Sequence, residues 1–312
     1  MKVVVLGAGA VGSLFAARIA LAGHAVVVVG RPAHVAEIRS GGLRILDHEV
    51  EVVRLEAVIE LPPGSAPDVA LLTTKTFDLA TAAAALATAV RSPVPTLLPQ
   101  NGLGVETLAN DALESAGWPD PSSWTVRAIH SIPATWVRPG EVREAGTGVI
   151  LLPDPTGPTA PHVRSFERLL AGAGFSVKRV CAFDREVWRK VLINAAINPV
   201  TAVRGVPNGR LLEEPARGEA IALLREALRA ARAAGHEFSE EEAVRDFEEV
   251  ARATAENRSS MLQDLDRGRP TEIDSISGAL LRVAEAHGLD LPATRAIVGE
   301  VRRRSRDSAR QA

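Results

Sequence analysis

The apolar residues of the first half of the chain come in short unbroken runs. Lys2–Leu6, Ala25–Val29, Asp68–Thr74 and Thr96–Leu98 are rich in valine and leucine and show no polar alternation. Such runs predict strands buried on both faces of a parallel sheet. Between them lie helical patterns, Ser13–Ala20 after the first run and Leu79–Val90 after the third. Strand and helix in alternation predict an α/β architecture. Leu43–Leu46 and Val50–Leu55 alternate with period two and predict a hairpin. Thr125–Ile132 and the Val137–Leu152 region, interrupted by Pro139-Gly140, predict strands and a hairpin that complete the sheet. Pro153–Pro161 holds four prolines and reads as a turn-rich connection. Helix Val163–Ala171 and a strand at Phe175–Val180 then close a first domain, 1–180.

From Asp184 the period changes from two to helical and stays so. Helices are expected around Trp188–Pro199, over Pro215–Ala234 and Glu240–Asp266, from Pro270 onward, and over Ala293–Arg304, giving an all-helical second domain, 181–312. Pro199 lacks an amide proton and should kink or end its helix. Val206-Pro207-Asn208-Gly209 reads as a turn with an Asn-Gly pair suited to left-handed backbone. On the 240–266 helix, Asn257 and Ser260 would share a face at i, i+3. Thr271 and Asp274 resemble a capping box, which would make Glu272 an ordinary first-turn acid.

One helix breaks its own apolar pattern. Lys190, Asn194 and Asn198 recur every four residues in KVLINAAINP, which stacks them along one face over about 12 Å. A buried hydrogen-bonded cluster that pins the helix is the bland reading. Composition favours a chemical one. Of 36 basic residues only four are lysines, Lys2, Lys75, Lys178 and Lys190, so solvated positive charge is carried by arginine. Lysine shifts its pKa readily when buried and arginine does not, which makes a lysine inside an apolar helix a candidate proton donor. Asparagine is as scarce, with Asn101, Asn110, Asn194, Asn198, Asn208 and Asn257 the full set.

The first strand runs directly into Gly7-Ala8-Gly9-Ala10-Val11-Gly12, then a helix, then Gly23-His24 and a second strand. That order is a whole βαβ unit around a GxGxxG. The glycines give a tight turn, close backbone approach to a pyrophosphate and close helix packing. The helix N-terminus adds free N–H groups for the phosphates. After Val29, where NAD-binding chains carry an acid for the ribose 2′-OH, this sequence reads Gly30-Arg31-Pro32. No carboxylate repels a 2′-phosphate there, and Arg31 can pair with one through its forked guanidinium, so NADP(H) is the expected cofactor. Lys75 and Asn101 follow the third and fourth strand runs, where ligands of an open parallel sheet sit, and are expected on the nicotinamide side.

Other classes recede. A net charge of −2 gives no electrostatic case for nucleic acid or an anionic membrane. Cys181 is alone, which leaves no disulfide framework, and the histidines show no ligand spacing, so no metal is expected. The first apolar segment is broken by glycines, unlike a signal peptide, and no long apolar span follows. A cytoplasmic location is the default expectation.

Taken together, GAGAVG at Gly7–Gly12, TTK ending at Lys75, QNG at Gln100–Gly102, WRKVLINAAINPVTA at Trp188–Ala202, PNG at Pro207–Gly209 and NRSSMLQD…TEID at Asn257–Asp274 resemble the ketopantoate reductase (2-dehydropantoate 2-reductase) family over nearly the whole chain. No motif position is missing. The resemblance implies a Rossmann-like first domain, an all-helical second domain like the C-terminal domain of 6-phosphogluconate dehydrogenase, and substrate held in a cleft between them. It implies Lys190 as general acid for the ketone oxygen, with Glu272 the acidic partner. It implies Asn194, Asn198, Asn208, Asn257 and Ser260 as contacts to the hydroxyl and carboxylate of ketopantoate, and Arg31, Lys75 and Asn101 as contacts to NADP(H). A related reductase of another bulky 2-keto acid and a non-enzymatic NADP(H) sensor are the alternatives. A homodimer is open, with no residue to argue it.

Overall fold

The computed structural model describes residues 1–46, 50–144 and 146–311. The chain divides into two compact units: Met1–Gln100 with Val105–Phe183, and Asn101–Gly104 with Asp184 onward.

The first unit is built on β1 (Lys2–Leu6), α1 (Ala10–Leu21), β2 (Ala25–Val29), α2 (Pro32–Gly41), β3 (Leu43–Leu46), β4 (Val50–Val53), β5 (Glu56–Val58), β6 (Val69–Leu72), α3 (Leu79–Ala89), β7 (Thr96–Leu98) and α4 (Val105–Ser115). β8 (Thr125–Arg127), β9 (Ile129–His130), β10 (Ala134–Arg138), β11 (Glu141–Glu144), β12 (Val149–Pro153), α5 (Ala160–Gly172) and β13 (Ser176–Val180) complete it. Six strands form an all-parallel sheet in the order β5-β2-β1-β6-β7-β8. This is the doubly wound order of dinucleotide-binding folds, with its topological switch point between β1 and β6.

Both faces of that sheet are buried, as the unbroken apolar runs require. Val3 and Val5 of β1 enter one core with Leu14, Phe15 and Ile19 of α1. Val4 and Leu6, pointing the other way, enter a second core with Leu79, Ala83 and Leu86 of α3. Helices α2 and α4 have no counterpart in the sequence expectation. β8, from the expected Thr125–Ile132 run, does complete the main sheet, but the strands after it do not. β10 and β11 form their hairpin, but β11 pairs with β3 in a separate four-stranded sheet, β10-β11-β3-β4. β12 pairs with β13 and β9 in a third sheet. The predicted β3–β4 hairpin is present, though its connecting residues 47–49 lie outside the described residues.

The second unit contains α6 (Phe183–Arg204), α7 (Ala216–Ala233), α8 (Glu240–Ala253), α9 (Ser260–Asp266), α10 (Ile273–Ala286) and α11 (Pro292–Gln311) around one apolar core. Two expectations fail here, and a third is narrowed. Pro199 does not end α6, which continues to Arg204; the buried residues from Ala195 to Ala202 hold the helix through it, so packing outweighs the missing N–H. The single helix expected over 240–266 is two. Thr254 to Ser259 leave helical geometry, and Ser259 starts α9 afresh by accepting from Leu262 N at 3.2 Å. The last helix runs past Arg304 to Gln311.

Candidate functional site

At the switch point the glycines divide their tasks as the motif requires. Gly7 has φ +114, and a Cβ on it would lie 2.5 Å from the backbone N of Thr74, so β1 and β6 end in direct apposition only because Gly7 has no side chain. A Cβ on Gly12 would lie 2.1 Å from Gly7 O, which fixes α1 tightly against the turn. Gly9 is different: its Cβ would meet nothing within 4 Å. It caps α1 with no side-chain bond, and the first N–H groups of the helix have no intrahelical acceptor. A bare, uncapped helix start beside open space fits a pyrophosphate.

Arg31 is exposed at the N-cap of α2, one residue beyond Gly30 and the end of β2. Gly30 is tight as well, since a Cβ there would lie 2.7 Å from Ala8 Cβ. Lys75, half-buried, follows β6 at the start of a 3₁₀ turn over Thr76–Asp78. Sequence reasoning missed a residue that holds the end of β6. Gln100 is buried, and its Nε2 donates to Leu72 O at 2.5 Å and Thr74 O at 3.3 Å, holding the carbonyls on both sides of Thr73. Its place in the QNG triplet was the available signal.

In the helical unit, Lys190, Asn194 and Asn198 stand one turn apart on α6. Lys190 and Asn194 are half-buried and Asn198 is buried. α6 is strapped to α8 by two ion pairs: Arg185 Nη2 donates to both Glu242 carboxylate oxygens at 2.8 and 2.9 Å, and Arg189 donates through Nε and Nη2 to the two Asp246 oxygens at 2.6 Å each. The Asp246 hydrogen bonds raise the Arg189 pKa further, so that charge is permanent. The residue next to Lys190 is therefore fixed in place.

The stripe also continues further than its polar residues suggested. Thr201, three residues beyond Asn198 and fully buried, has its Oγ1 2.7 Å from Ser259 Oγ, 2.9 Å from Ile197 O and 3.0 Å from Asn198 O. The i+3 spacing could have identified it. Ser259, which caps α9, is thereby tied to the Asn198 end of α6, and Ser260 follows as an exposed residue at the start of α9.

Asn208 and Asn257 come together through the backbone. Asn208 N donates to Asn257 O at 2.9 Å and Gly209 N to Ala255 O at 3.0 Å. Asn257 is in the break between α8 and α9, exposed, so the helical i, i+3 face expected with Ser260 does not exist. The Asn-Gly pair is not left-handed; the positive φ of that region is at Gly205, +67. Gly209 is needed because a Cβ would press to 2.8 Å from Ala255 Cβ. The Asn208 side chain is buried. Its Nδ2 donates to Thr254 Oγ1 at 2.9 Å, while Oδ1 has no partner. A buried unpaired acceptor costs about 1–3 kcal/mol, which a donor placed beside it would recover.

Glu272 is buried and occupies the N-cap position of α10, yet its carboxylate caps nothing. The capping-box reading of Thr271 and Asp274 does not hold, since the N-cap is Glu272 and no side chain caps it. Glu272 Oε2 instead accepts from Asn101 Nδ2 at 3.3 Å. Asn101 follows β7 in sequence but packs with the helical unit: Leu103 N donates to Ser275 O at 3.1 Å, and a Cβ on Gly102 would lie 2.1 Å from the same oxygen. Among the described residues no group of three or more His, Cys, Asp or Glu could hold a metal ion, and no helix is long and apolar enough to cross a membrane.

Comparison with known proteins gives this geometry a family. The profile described as "Ketopantoate reductase PanE/ApbA" matches residues 3–157, and "Ketopantoate reductase PanE/ApbA C terminal" matches residues 182–305. The 2-dehydropantoate 2-reductase of Archaeoglobus fulgidus is 33% identical over 303 residues, covering 96% of this chain and 97% of that protein. The crystal structure of a PanE/ApbA family ketopantoate reductase from Ralstonia eutropha JMP134 superposes with a TM-score of 0.86 at 29% identity, over 99% of this chain and 100% of that one. A ternary structure of D-mandelate dehydrogenase with NADH and anilino(oxo)acetate superposes with a TM-score of 0.91 over 99% of this chain and 100% of that one, but at 21% identity it speaks to fold alone. The chain belongs to the ketopantoate reductase PanE/ApbA family.

Proposed function

We propose that this chain reduces 2-dehydropantoate to (R)-pantoate with NADPH, a step toward pantothenate and coenzyme A. The observation that carries the reading is the α6 stripe: a half-buried lysine, in a chain with four lysines, aligned with two carboxamides on a helix locked by ion pairs. The relatives in the family are named for this reaction.

The nicotinamide, when bound, supplies the hydride. The chain's own residues do the rest. Lys190 donates the proton to the keto oxygen, where negative charge grows as the carbonyl is reduced; a placed general acid is typically worth about 10²–10⁴-fold. Asn194 and Asn198 suit a substrate that carries both a hydroxyl and a carboxylate, because a carboxamide donates and accepts. The unpaired Asn208 Oδ1 awaits a donor, and the substrate hydroxyl is one. Asn257, whose carbonyl accepts from Asn208 N, and Ser260, next to Ser259, are the further substrate contacts, and Glu272, which accepts from Asn101, is the acidic partner. On the cofactor side the Gly7–Gly12 turn receives the pyrophosphate, Lys75 stands at the end of β6 for the nicotinamide half, and Arg31 takes the 2′-phosphate. The absence of a carboxylate after β2 favours NADPH over NADH.

The test is the initial rate with ketopantoate using NADPH and NADH in parallel, alongside a panel of other bulky 2-keto acids. NADPH with ketopantoate should give the highest kcat/KM. Lys190→Ala should lose about 10²–10⁴ in kcat while NADPH affinity stays unchanged. Normal turnover in that variant would remove Lys190 from the acid role, and a far better keto acid in the panel would replace the substrate.

A further inference from the structure

We infer that His34 is a positioning residue for cofactor selection: it locks the first turn of α2, which carries Arg31, to the first turns of α1, which follow the glycine motif. The inference rests on the NADPH reading above and concerns a residue to which the fold alone gives no role. His34 is 4% exposed and Ser13, its partner, is fully buried. Gly140 N donates to His34 Nδ1 at 2.9 Å, so Nδ1 is unprotonated and Nε2–H is left to donate to Ser13 Oγ at 3.1 Å. One ring thus ties three elements: α2 through its own backbone, α1 through Ser13, and the β10–β11 turn through Gly140.

The position of the ring decides what this tie serves. Ser13 is the residue after Gly12, and His34 is three residues after Arg31. A Cβ built on Gly30 would lie 3.8 Å from His34 Cδ2 and 2.7 Å from Ala8 Cβ, so the imidazole lies next to the Gly30–Arg31 turn where that turn meets the glycine motif. The Arg31 carbonyl accepts from Val35 N at 3.0 Å, which carries any shift of this helical turn directly to Arg31. Packing alone would be satisfied by an apolar ring. A buried imidazole with both nitrogens engaged instead fixes direction, because each bond is met by one geometry. Arg31 is exposed, and an exposed arginine discriminates a phosphate well only if its backbone is held; otherwise ordering it consumes binding energy.

The experiment uses the full chain and two cofactor fragments, 2′,5′-ADP with the 2′-phosphate and ADP without it, titrated by calorimetry. His34→Phe keeps a flat aromatic ring, slightly larger, and loses both hydrogen bonds. It should weaken 2′,5′-ADP about fivefold, the scale of one or two net hydrogen bonds, and leave ADP within about twofold. Ser13→Ala, which removes only the acceptor of Nε2–H, should shift 2′,5′-ADP in the same direction by about twofold or more. In turnover, KM for NADPH should rise with kcat and the KM for NADH held. Equal losses for the two fragments would show a merely structural histidine and overturn the inference, as would no loss. If His34→Phe does not fold, Ser13→Ala decides by the same outcomes. Arg31→Ala separates the two failures: unchanged 2′,5′-ADP affinity there refutes the Arg31 reading, whereas loss there with none in His34→Phe refutes only the role of His34.

Discussion

Gly9 and Gly12 stand three residues apart in one motif, yet the structure makes opposite demands of them. At Gly12 a methyl group would lie 2.1 Å from Gly7 O and 2.3 Å from Thr73 Oγ1. Neither can yield easily, because Thr73 Oγ1 is already held by Leu6 O at 3.1 Å and Gly7 O at 2.9 Å. Gly12→Ala should therefore destabilise the free protein by about 1–3 kcal/mol, the range for overpacking. At about 2–4 °C per kcal/mol for domains of this size, that is a Tm loss of roughly 2–12 °C. At Gly9 the methyl meets nothing, and φ −77 with ψ −165 is open to alanine. The unfolded chain loses entropy worth about 0.4–1 kcal/mol, and the poorer N-cap offsets a similar amount, so the Tm of Gly9→Ala should stay within about 4 °C of the parent. Its cofactor affinity should not survive. NADPH at 100 times its Kd stabilises the parent by about 2.7 kcal/mol, and a hundredfold weaker site leaves about 0.4 kcal/mol. Thermal melts with and without NADPH read both quantities in one plate. A Gly9→Ala protein that keeps the full NADPH-induced shift would refute the placement of the pyrophosphate over Gly9. A Gly12→Ala protein as stable as the parent would refute the packing argument.

Other outcomes follow from single contacts. Glu226 is buried and accepts from Ala293 N at 2.9 Å and Thr294 N at 2.7 Å, so Glu226→Ala orphans two donors at the start of α11 and should lower stability by about 1–3 kcal/mol in urea melts, with NADPH affinity unchanged. Thr201→Val preserves shape while removing the hydroxyl that joins Ser259 to α6; KM for the keto acid should rise a few-fold and NADPH affinity should not, and no change in KM would dismiss Thr201 from the site. Burial lowers the His34 pKa below 6.5, so above that pH neither folded nor unfolded chain is protonated there, and below it only the unfolded chain takes up the proton. Stability should accordingly fall as pH drops through 6.5, and His34→Phe should show a shallower fall; an unchanged slope would place the loss at other groups.

The legible parts of the fold were those in which local pattern and tertiary role agree. The β1–β2 unit declared itself because a doubly buried strand, a glycine turn and a helix each leave a separate signature. The α6 stripe did so because polar residues at helical spacing contradict an apolar helix. What escaped were arrangements decided by partners distant in sequence. Nothing local says that β11 pairs with β3 instead of joining the main sheet, since both sheets need the same alternation. The break between α8 and α9 contains no glycine or proline. It is made by Asn208 and Gly209, which pair with backbone oxygens of Asn257 and Ala255. Pro199, a strong local breaker, does not end its helix, because the buried surroundings of α6 carry the helix on to Arg204. Asn101 was legible as a polar residue after a strand, and its engagement with Glu272 depends on a helix 171 residues away.

That last pairing bears on how such proteins can be recombined. The helical unit is not one continuous stretch of sequence, because Asn101–Gly104 belongs to it while their flanking residues belong to the other. A chimera made by exchanging everything after Phe183 with a relative would leave those four residues facing a foreign α10. Gly102 and Leu103, both fitted to Ser275 O, would have to match a backbone they did not evolve beside. Heritable exchange of the two halves is thus constrained at a tetrapeptide, and a working swap must move Asn101–Gly104 together with the helices.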